Sequence, residues 1–273
     1  SMIISCCCNR NTKKILIVSA TPHYDFTFGS AGIRAGVRVD YSDRLSITPD
    51  VRVSGSVLDG ALFLYAGADG GQSISDYFHL KSSFHRAGLS MCIPSITKER
   101  MHAFAGLNGS AGHHFQFGLQ GGWRYWTSKP TEALTGFNDA SVSLAYIDGC
   151  LSWKSERFEA DGNFRAAKSG MEKSAEVFST PSFSGDFRAI YNWNKRIFGG
   201  VWAEGQTGRK GVFEGVDTSL PSFVNLGLSL EFKASSRFGV WAEAGNLLGQ
   251  EIWRVPVLAE KDPYVTAGIT LIL

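Results

Sequence analysis

The sequence Phe115-Gln-Phe-Gly-Leu-Gln-Gly-Gly-Trp-Arg-Tyr-Trp126 alternates between two kinds of residue. Its odd-numbered positions are apolar or small, and its even-numbered positions through Arg124 are Gln, Gly or Arg. A period of two indicates a β-strand, because successive side chains point to opposite faces. Aromatic residues at one end and a polar second face are typical of a strand with lipid on one side and water on the other. A half-buried strand of a soluble protein gives the same alternation, so the interpretation depends on how often the pattern recurs.

Alternation of this kind recurs along most of the chain. It is found at 33–41, 142–146, 158–164, 183–193, 224–232 and 265–273. Short turn-forming segments lie at 58–60, 108–112, 154–157, 194–196 and 234–237, and they alternate with long connections near 70–100, 127–138, 168–181, 208–220 and 247–262. A barrel with short periplasmic turns and longer extracellular loops produces this order. The pattern predicts an all-β, antiparallel up-and-down meander of about 12–14 strands that forms all or part of a transmembrane β-barrel.

The composition agrees with a β protein and excludes several other classes. The chain has 273 residues, of which 31 are glycine and 12% are aromatic. The net charge of +2 gives no argument for nucleic-acid binding. The sequence contains no apolar run of 18 or more residues, which excludes a helical membrane span. We predict two regions, a disordered or non-native segment at 1–13 and an outer-membrane β-barrel at 14–273, which is complete or is a fragment of a larger barrel.

Motifs for catalysis or for a cofactor are missing from the sequence. It has five cysteines but neither a Cys-x-x-Cys pair nor a zinc-ligand spacing. It has no Gly-x-Ser-x-Gly elbow, no P-loop and no dinucleotide-binding glycine pattern. Asp76, His79, His85 and Cys92 share the longest predicted loop, for which a polar surface loop is favoured over a metal site. We predict no enzyme, no cofactor and no metal site.

Two tryptophan–glutamate pairs are the strongest candidates for solute contacts. Trp202 and Glu204 share one face of a predicted strand, and so do Trp241 and Glu243 on another, because the members of each pair are two residues apart. With the aliphatic face toward lipid, all four side chains line the lumen, where they can contact a passing solute. One strand separates the glutamates, which places them about 10 Å apart, too far for a retaining glycosidase pair. The alternative is an ordinary polar lining whose carboxylates are balanced by arginines such as Arg165.

Three segments near the C-terminus carry a family resemblance. They are Tyr191-Asn-Trp-Asn-Lys-Arg-Ile197, Phe238-Gly-Val-Trp-Ala-Glu-Ala-Gly-Asn-Leu-Leu-Gly249 and Pro263-Tyr-Val-Thr-Ala-Gly-Ile-Thr-Leu-Ile-Leu273. An Asn-Leu-Leu segment before the last loop and a glycine-containing terminal strand are typical of TonB-dependent receptors of the Bacteroidetes type, and the chain resembles that barrel over roughly residues 20–273. Receptors of this family also have a plug domain, an energy-coupling box and about 22 barrel strands. Neither the plug nor the box is visible in the sequence.

The resemblance implies uptake of a nutrient across the outer membrane of a Gram-negative bacterium. The implied partners are outer-membrane lipid and either a TonB energy-coupling complex or a surface lipoprotein, and nucleic acid is not among them. Two alternatives stay open: a plugless porin-like passive channel, and a soluble or surface β-protein with a binding role. Because a fragment of a larger barrel does not close well, we also predict a gap or strained pairing between the first and last strands.

Overall fold

The computed structural model describes residues 2–7, 15–75, 95–133, 136–171, 180–213, 216–255 and 258–272. All regular structure in these residues is β-strand. The strands of the first half are β1 (Met2–Cys7), β2 (Ile15–Ala20), β3 (His23–Phe28), β4 (Ala31–Tyr41), β5 (Leu45–Val57), β6 (Leu62–Ser75), β7 (Ser95–Ala111), β8 (Phe115–Ala133) and β9 (Gly136–Lys154). Those of the second half are β10 (Phe158–Met171), β11 (Phe183–Trp193), β12 (Ile197–Thr207), β13 (Lys210–Phe213), β14 (Val216–Ser219), β15 (Phe223–Lys233), β16 (Phe238–Gly245), β17 (Ile252–Val255), β18 (Leu258–Glu260) and β19 (Tyr264–Leu271). Among the described residues, no helix is long and apolar enough to cross a membrane.

The main sheet is an antiparallel meander, as predicted. Its strands follow the order β1-β2-β4-β5-β6-β7-β8-β9-β10-β11-β12-β15-β16-β19, and β3 pairs with β4 beside β2. This order has 14 positions, which agrees with the predicted number of strands. In the described part of the chain, β1 and β19 lie at the two ends and do not pair with each other. The sheet is therefore not closed, which confirms the predicted gap.

The described residues at the N-terminus form a strand. Met2–Cys7 form strand β1, which pairs with β2 over its whole length. The division into a disordered or non-native segment at 1–13 and a barrel at 14–273 stays a prediction. Strands β2 and β3 then share β4 as a partner, and the break between them falls at Pro22. Proline has no backbone N–H for the ladder, and its carbonyl accepts a hydrogen bond from Val37 N at 3.1 Å.

From Leu58 onward, short turns and long connections alternate as predicted, with one exception. In the turn between β11 and β12, Asn194 and Lys195 both have positive φ, 51° and 58°, the type I′ geometry that matches strand twist. The connections near 208–220 and 247–262 contain the small hairpins β13–β14 and β17–β18. The exception is 127–138, because β8 and β9 are each 19 residues long and their pairing continues through most of this segment.

The two faces of the sheet differ in character. One of them, called the outer face below, carries the aliphatic residue of most alternating pairs. In register, Val201 lies opposite Leu228, Leu228 opposite Ala244, and Ala244 opposite Val265. Val201, Leu228 and Val265 expose 42%, 48% and 78% of their surface, so no second layer of the described chain covers them. A continuous apolar face of this kind marks contact with a membrane or with another protein.

The opposite face, called the inner face below, is not polar throughout. A buried apolar cluster lies on it in β8 and β9, formed by Trp126, Ala140, Val142, Leu144 and Tyr146. Alternation predicts that residues two positions apart in a strand share a face, but it does not predict whether that face is the inner or the outer one. The pairing of Trp126 with Val142 and of Tyr146 with Gly122 settles the question, because Trp126 and Gly122 share a face with Gln120. The inner face therefore combines an apolar portion in β8 and β9 with the polar portion described next.

Candidate functional site

The inner face curves around a cavity of about 1070 Å³. Strands from β6 to β15 contribute to its wall, and the hairpin β17–β18 closes part of it with Arg254 and Glu260. Ligand pockets in proteins typically measure roughly 300–1,000 Å³. The cavity is therefore large enough for a small solute, and its side chains are the candidates for recognition.

Glu204 of β12 is the centre of an ion-pair cluster in this wall. Arg254 donates to both carboxylate oxygens of Glu204, with Nη1 at 2.8 Å from Oε2 and Nη2 on Oε1. Asn225 of the neighbouring strand donates from Nδ2 to Oε1 at 2.8 Å. The carboxylate holds the pKa of Arg254 above its usual value, since it stabilises the charged guanidinium. The guanidinium also lies 5.7 Å from the centre of the Phe223 ring.

Further hydrogen bonds hold the hairpin β17–β18 against the wall. Gln206 Nε2 donates to Trp253 O at 3.2 Å, and Arg209 Nη1 donates to Arg254 O at 2.6 Å. Asn246 fixes the base of the connection, because its Nδ2 donates to Gln250 O at 3.0 Å and to Lys261 O at 3.2 Å. Asn246 has a positive φ of 49°, which asparagine tolerates better than most residues. Glu204 is therefore held by the loop and is not a free carboxylate.

Trp202 and Trp241 each place their indole ring over a glycine of the next strand. A Cβ built on Gly227 would lie 2.2 Å from Trp202 Cε2, and one built on Gly268 would lie 2.6 Å from Trp241 Cζ2. The indole Nε1 of Trp202 is buried and has no hydrogen-bond partner within the described ranges. A large ring above a glycine covers backbone that has no side chain of its own, which stabilises the sheet locally.

The two glutamates are farther apart than the strand spacing alone predicts. Both lie on the inner face, but Glu204 is opposite Asn225, whereas Glu243 is opposite Ser229. Asn225 and Ser229 are four residues apart on β15, which is about 14 Å along the strand. This offset is perpendicular to the roughly 10 Å across the sheet, so the two glutamates are more than 10 Å apart. The predicted separation of about 10 Å is therefore wrong, because it ignores the register. The two carboxylates do not form one site.

A second polar cluster on the inner face was not among the predicted site residues. His102 joins Asp69 to Tyr146, with Nδ1 at 2.9 Å from Asp69 Oδ1 and Nε2 at 2.7 Å from Tyr146 Oη. Gln120 Nε2 donates to the same tyrosine oxygen at 2.7 Å, and Gln120 Oε1 accepts from Tyr65 Oη at 2.9 Å. These residues come from four strands, so only their inward position in each alternating pattern is visible in the sequence.

Most charged groups of the wall are paired. Arg165 donates from Nε to Asp148 Oδ1 at 2.6 Å, and Arg124 donates from Nε to Glu99 Oε1 at 2.6 Å. The pairing of Arg165 agrees with the balanced-lining interpretation. No group of three or more His, Cys, Asp or Glu side chains within the described residues could hold a metal ion. The predicted loop cluster at 76–92 lies outside those residues.

Comparison with solved structures shows what the fold is. The chain is similar to a mutant of the ferric enterobactin receptor from Pseudomonas aeruginosa, with 13% identity, 95% of this chain and 45% of that chain covered, and a TM-score of 0.65. It is similar to the copper transporter OprC with 12% identity, 94% and 48% coverage and a TM-score of 0.64. It is similar to the siderophore receptor PirA from Acinetobacter baumannii with 10% identity, 94% and 46% coverage and a TM-score of 0.69.

These likenesses show the fold of outer-membrane receptor and transporter barrels, and at such identities they show the fold alone. The chain spans less than half the length of each of the three. No protein-family model matches the sequence. No curated protein matches it.

Proposed function

We propose that this chain is the barrel portion of a TonB-dependent-receptor-like transporter that takes up a nutrient across the outer membrane of a Gram-negative bacterium. One observation carries the proposal: a single curved sheet exposes an apolar outer face, and its inner face surrounds a cavity whose wall contains mostly polar and charged residues. Lipid on one side and water on the other require this division. The receptor and transporter names of the structural neighbours support the same assignment.

The distribution of aromatic residues on the outer face supports a membrane position. At the short-turn end, the strands carry Phe115, Trp153, Phe158, Trp193 and Phe238 within two residues of a turn. Toward the other end, β8 carries the stacked rings of Trp123 and Tyr125, whose centres are 6.0 Å apart. The eight-residue distance from Phe115 to Trp123 spans about 27 Å along the strand. Aromatic residues at both ends of an apolar band are what a bilayer selects.

Within this proposal, the four predicted residues have different roles. Glu204 lines the cavity and holds Arg254, so it contacts a solute together with the arginine. Trp202 lies two residues away on the same strand and supports that part of the wall. Trp241 and Glu243 lie nearer the short-turn end, where a solute would meet them after it passes Glu204. The site binds and conducts, and we propose no catalytic step.

The two open edges of the sheet, β1 and β19, indicate what the chain must contact in a membrane. An unpaired strand edge leaves backbone N–H and C=O groups that hydrocarbon does not satisfy, so β1 and β19 require partner strands in a bilayer. The proposed further partners are a TonB energy-coupling complex or a surface lipoprotein. The same proposal includes that the transporter is of the Bacteroidetes type. The alternative of a plugless, porin-like passive channel differs in needing no energy coupling.

The membrane position can be tested by tryptophan fluorescence in lipid vesicles. Vesicles that contain lipids brominated along the acyl chain should quench the outer tryptophans, Trp123, Trp153 and Trp193, because bromine at acyl depth quenches rings within contact distance. Replacement of these three by phenylalanine should remove most of the quenching, whereas replacement of the inner Trp202 and Trp241 should remove little. A protein that is monodisperse in plain buffer and is not quenched would overturn the proposal. Solute flux through the same vesicles without an energy source would favour the passive channel.

A further inference from the structure

A second cavity, called the outer groove below, lies on the outer face and away from Glu204. Its volume is about 550 Å³ and its lining is almost entirely apolar. It is lined by Gly199, Ala242 and Ala244 on the floor and by Phe158, Tyr191 and Val265 on the walls. In register, Phe158 lies opposite Tyr191 and Tyr191 opposite Gly199, so the groove crosses neighbouring strands. Small residues between bulky ones thus leave a channel in a face that is otherwise filled with side chains.

Gly199 keeps the outer groove open. A Cβ built on Gly199 would have no atom within 4 Å, and its backbone does not need a positive φ. Glycine inside a strand weakens the strand, and it often marks a place where another molecule or backbone approaches closely. Its cross-strand neighbours Tyr191 and Leu230 stand on either side, so the space above Gly199 is bounded by apolar surface.

The outer groove begins beside two basic turns. Arg157 immediately precedes Phe158, and Lys195 and Arg196 follow Tyr191 by four and five positions. The two turns are adjacent, because Arg157 O accepts a hydrogen bond from Asn192 N at 2.7 Å. In the described part of the chain, none of these three basic side chains forms an ion pair. The acidic residue of these turns is Glu156, so the pair of turns carries a net positive charge.

From this juxtaposition we infer that the outer groove binds one anionic phospholipid, with its phosphate on Arg157, Lys195 and Arg196 and an acyl chain over Gly199. The inference rests on the proposed function, since a lipid reaches this face only in a membrane. Basic residues at a membrane surface attract anionic headgroups, and an acyl chain in the groove gains van der Waals contacts with its apolar residues. Trp193, between the groove and the turn, exposes 63% of its surface at the depth that tryptophan prefers.

The test is native mass spectrometry of the full chain in detergent, with added dioleoyl phosphatidylglycerol or dioleoyl phosphatidylcholine. We expect one retained phosphatidylglycerol at concentrations where phosphatidylcholine does not bind. The double variant Arg157→Gln/Arg196→Gln should lose at least tenfold in phosphatidylglycerol affinity. Gly199→Leu should also reduce phosphatidylglycerol binding, because the new side chain fills the groove without meeting protein atoms.

Matched controls separate this site from general lipid adhesion. Gly121→Leu adds the same side chain to an outer-face glycine elsewhere, where a Cβ meets its nearest atom at 3.7 Å, and it should not change binding. Arg44→Gln/Lys168→Gln removes two positive charges away from the groove and should not change binding either. Equal binding of the two lipids, indifference to both test variants, or a dimer in place of bound lipid would overturn the inference. A protein that needs no detergent at all would instead overturn the proposed function.

Discussion

Glu204 of β12 and Arg254 of the hairpin β17–β18 form a bidentate ion pair, although 50 positions separate them in the chain. The pair joins the barrel wall to a long connection, and Asn225 completes the hydrogen bonding of the carboxylate. About a third of each side chain is exposed, so water screens the charges only in part. The ion pair therefore contributes to the position of the hairpin over the cavity, together with the hydrogen bonds from Gln206 and Arg209.

Replacement of Glu204 by glutamine should loosen the hairpin without unfolding the sheet. The neutral amide keeps one acceptor for Asn225 but loses the charge-assisted bonds, at a cost of about 1 kcal/mol. We expect faster proteolysis within 252–260 and a small decrease in the urea midpoint in detergent. Glu159→Gln is the matched control, because it breaks a more exposed ion pair with Lys154 at the opposite end. Equal proteolysis in the two variants would contradict the anchoring role of Glu204.

A charge on the outer face should be far more costly than a charge on the inner face. Leu228→Arg places a guanidinium near the middle of the apolar band and should destabilise the folded protein in lipid by about 2–4 kcal/mol. Ser229→Arg, at the next position, points to the inner face and should cost less than about 1 kcal/mol. Unfolding by urea in lipid vesicles measures both values. Similar costs at the two positions would show that the faces are assigned wrongly.

Because Trp202 packs on Gly227, we expect that adding a side chain at Gly227 lowers the stability of the protein. Gly227→Ala puts a methyl group 2.2 Å from an indole carbon, so the ring must move, at a cost of about 1–3 kcal/mol. Gly199→Ala is the control, since nothing lies within 4 Å of its new methyl group, and it should change stability by less than about 0.5 kcal/mol. Urea unfolding followed by tryptophan fluorescence compares them. If Gly227→Ala is as neutral as Gly199→Ala, the indole does not rest on the strand.

The turn between β4 and β5 should show a pH-dependent contribution to stability. Lys98 donates to both oxygens of Asp43 at 2.8 Å, and together with Ser42 it lowers the pKa of Asp43 to about 2. Because this lies below the ordinary value of 3.8, the pair contributes fully above pH 3.8, and the contribution is lost as the pH falls toward 2. The stability difference between the protein and Asp43→Asn should thus be constant above pH 4.5 or so and shrink below it. An Asp43 carboxyl carbon that titrates near 3.8 by NMR would exclude the pair in solution.

Removal of the Tyr146 hydroxyl alone should destabilise the sheet. Tyr146→Phe keeps the apolar contacts in β8 and β9 but removes the common partner of His102 and Gln120. Leaving partly buried polar groups without a partner costs about 1–3 kcal/mol. Tyr191→Phe on the outer face is the control and should cost less than about 0.5 kcal/mol. Equal urea midpoints for the two variants would mean that water replaces the hydroxyl.

The meander was predictable because its signal is local. Alternation in 183–193 or 224–232 assigns strand and face together, since each side chain points opposite to its neighbour. Long connections were predictable from their missing alternation, except where β8 and β9 extend through 127–138 with register shifts that disturb the period. The buried cluster around Val142 and Leu144 could not be assigned to a face, because a period of two is the same whichever side is inward.

The sequence alone established that Trp202 and Glu204 share one face of their strand and that Val201 lies on the other face, because side chains alternate with a period of two. Only the folded structure showed that Glu204 binds Arg254 and that His102 joins Asp69 to Tyr146. It also showed the offset of the two glutamates, whose partners on β15 are four residues apart. The physical reason is that strand register and loop return are set by contacts between residues far apart in the chain, and no local pattern contains them.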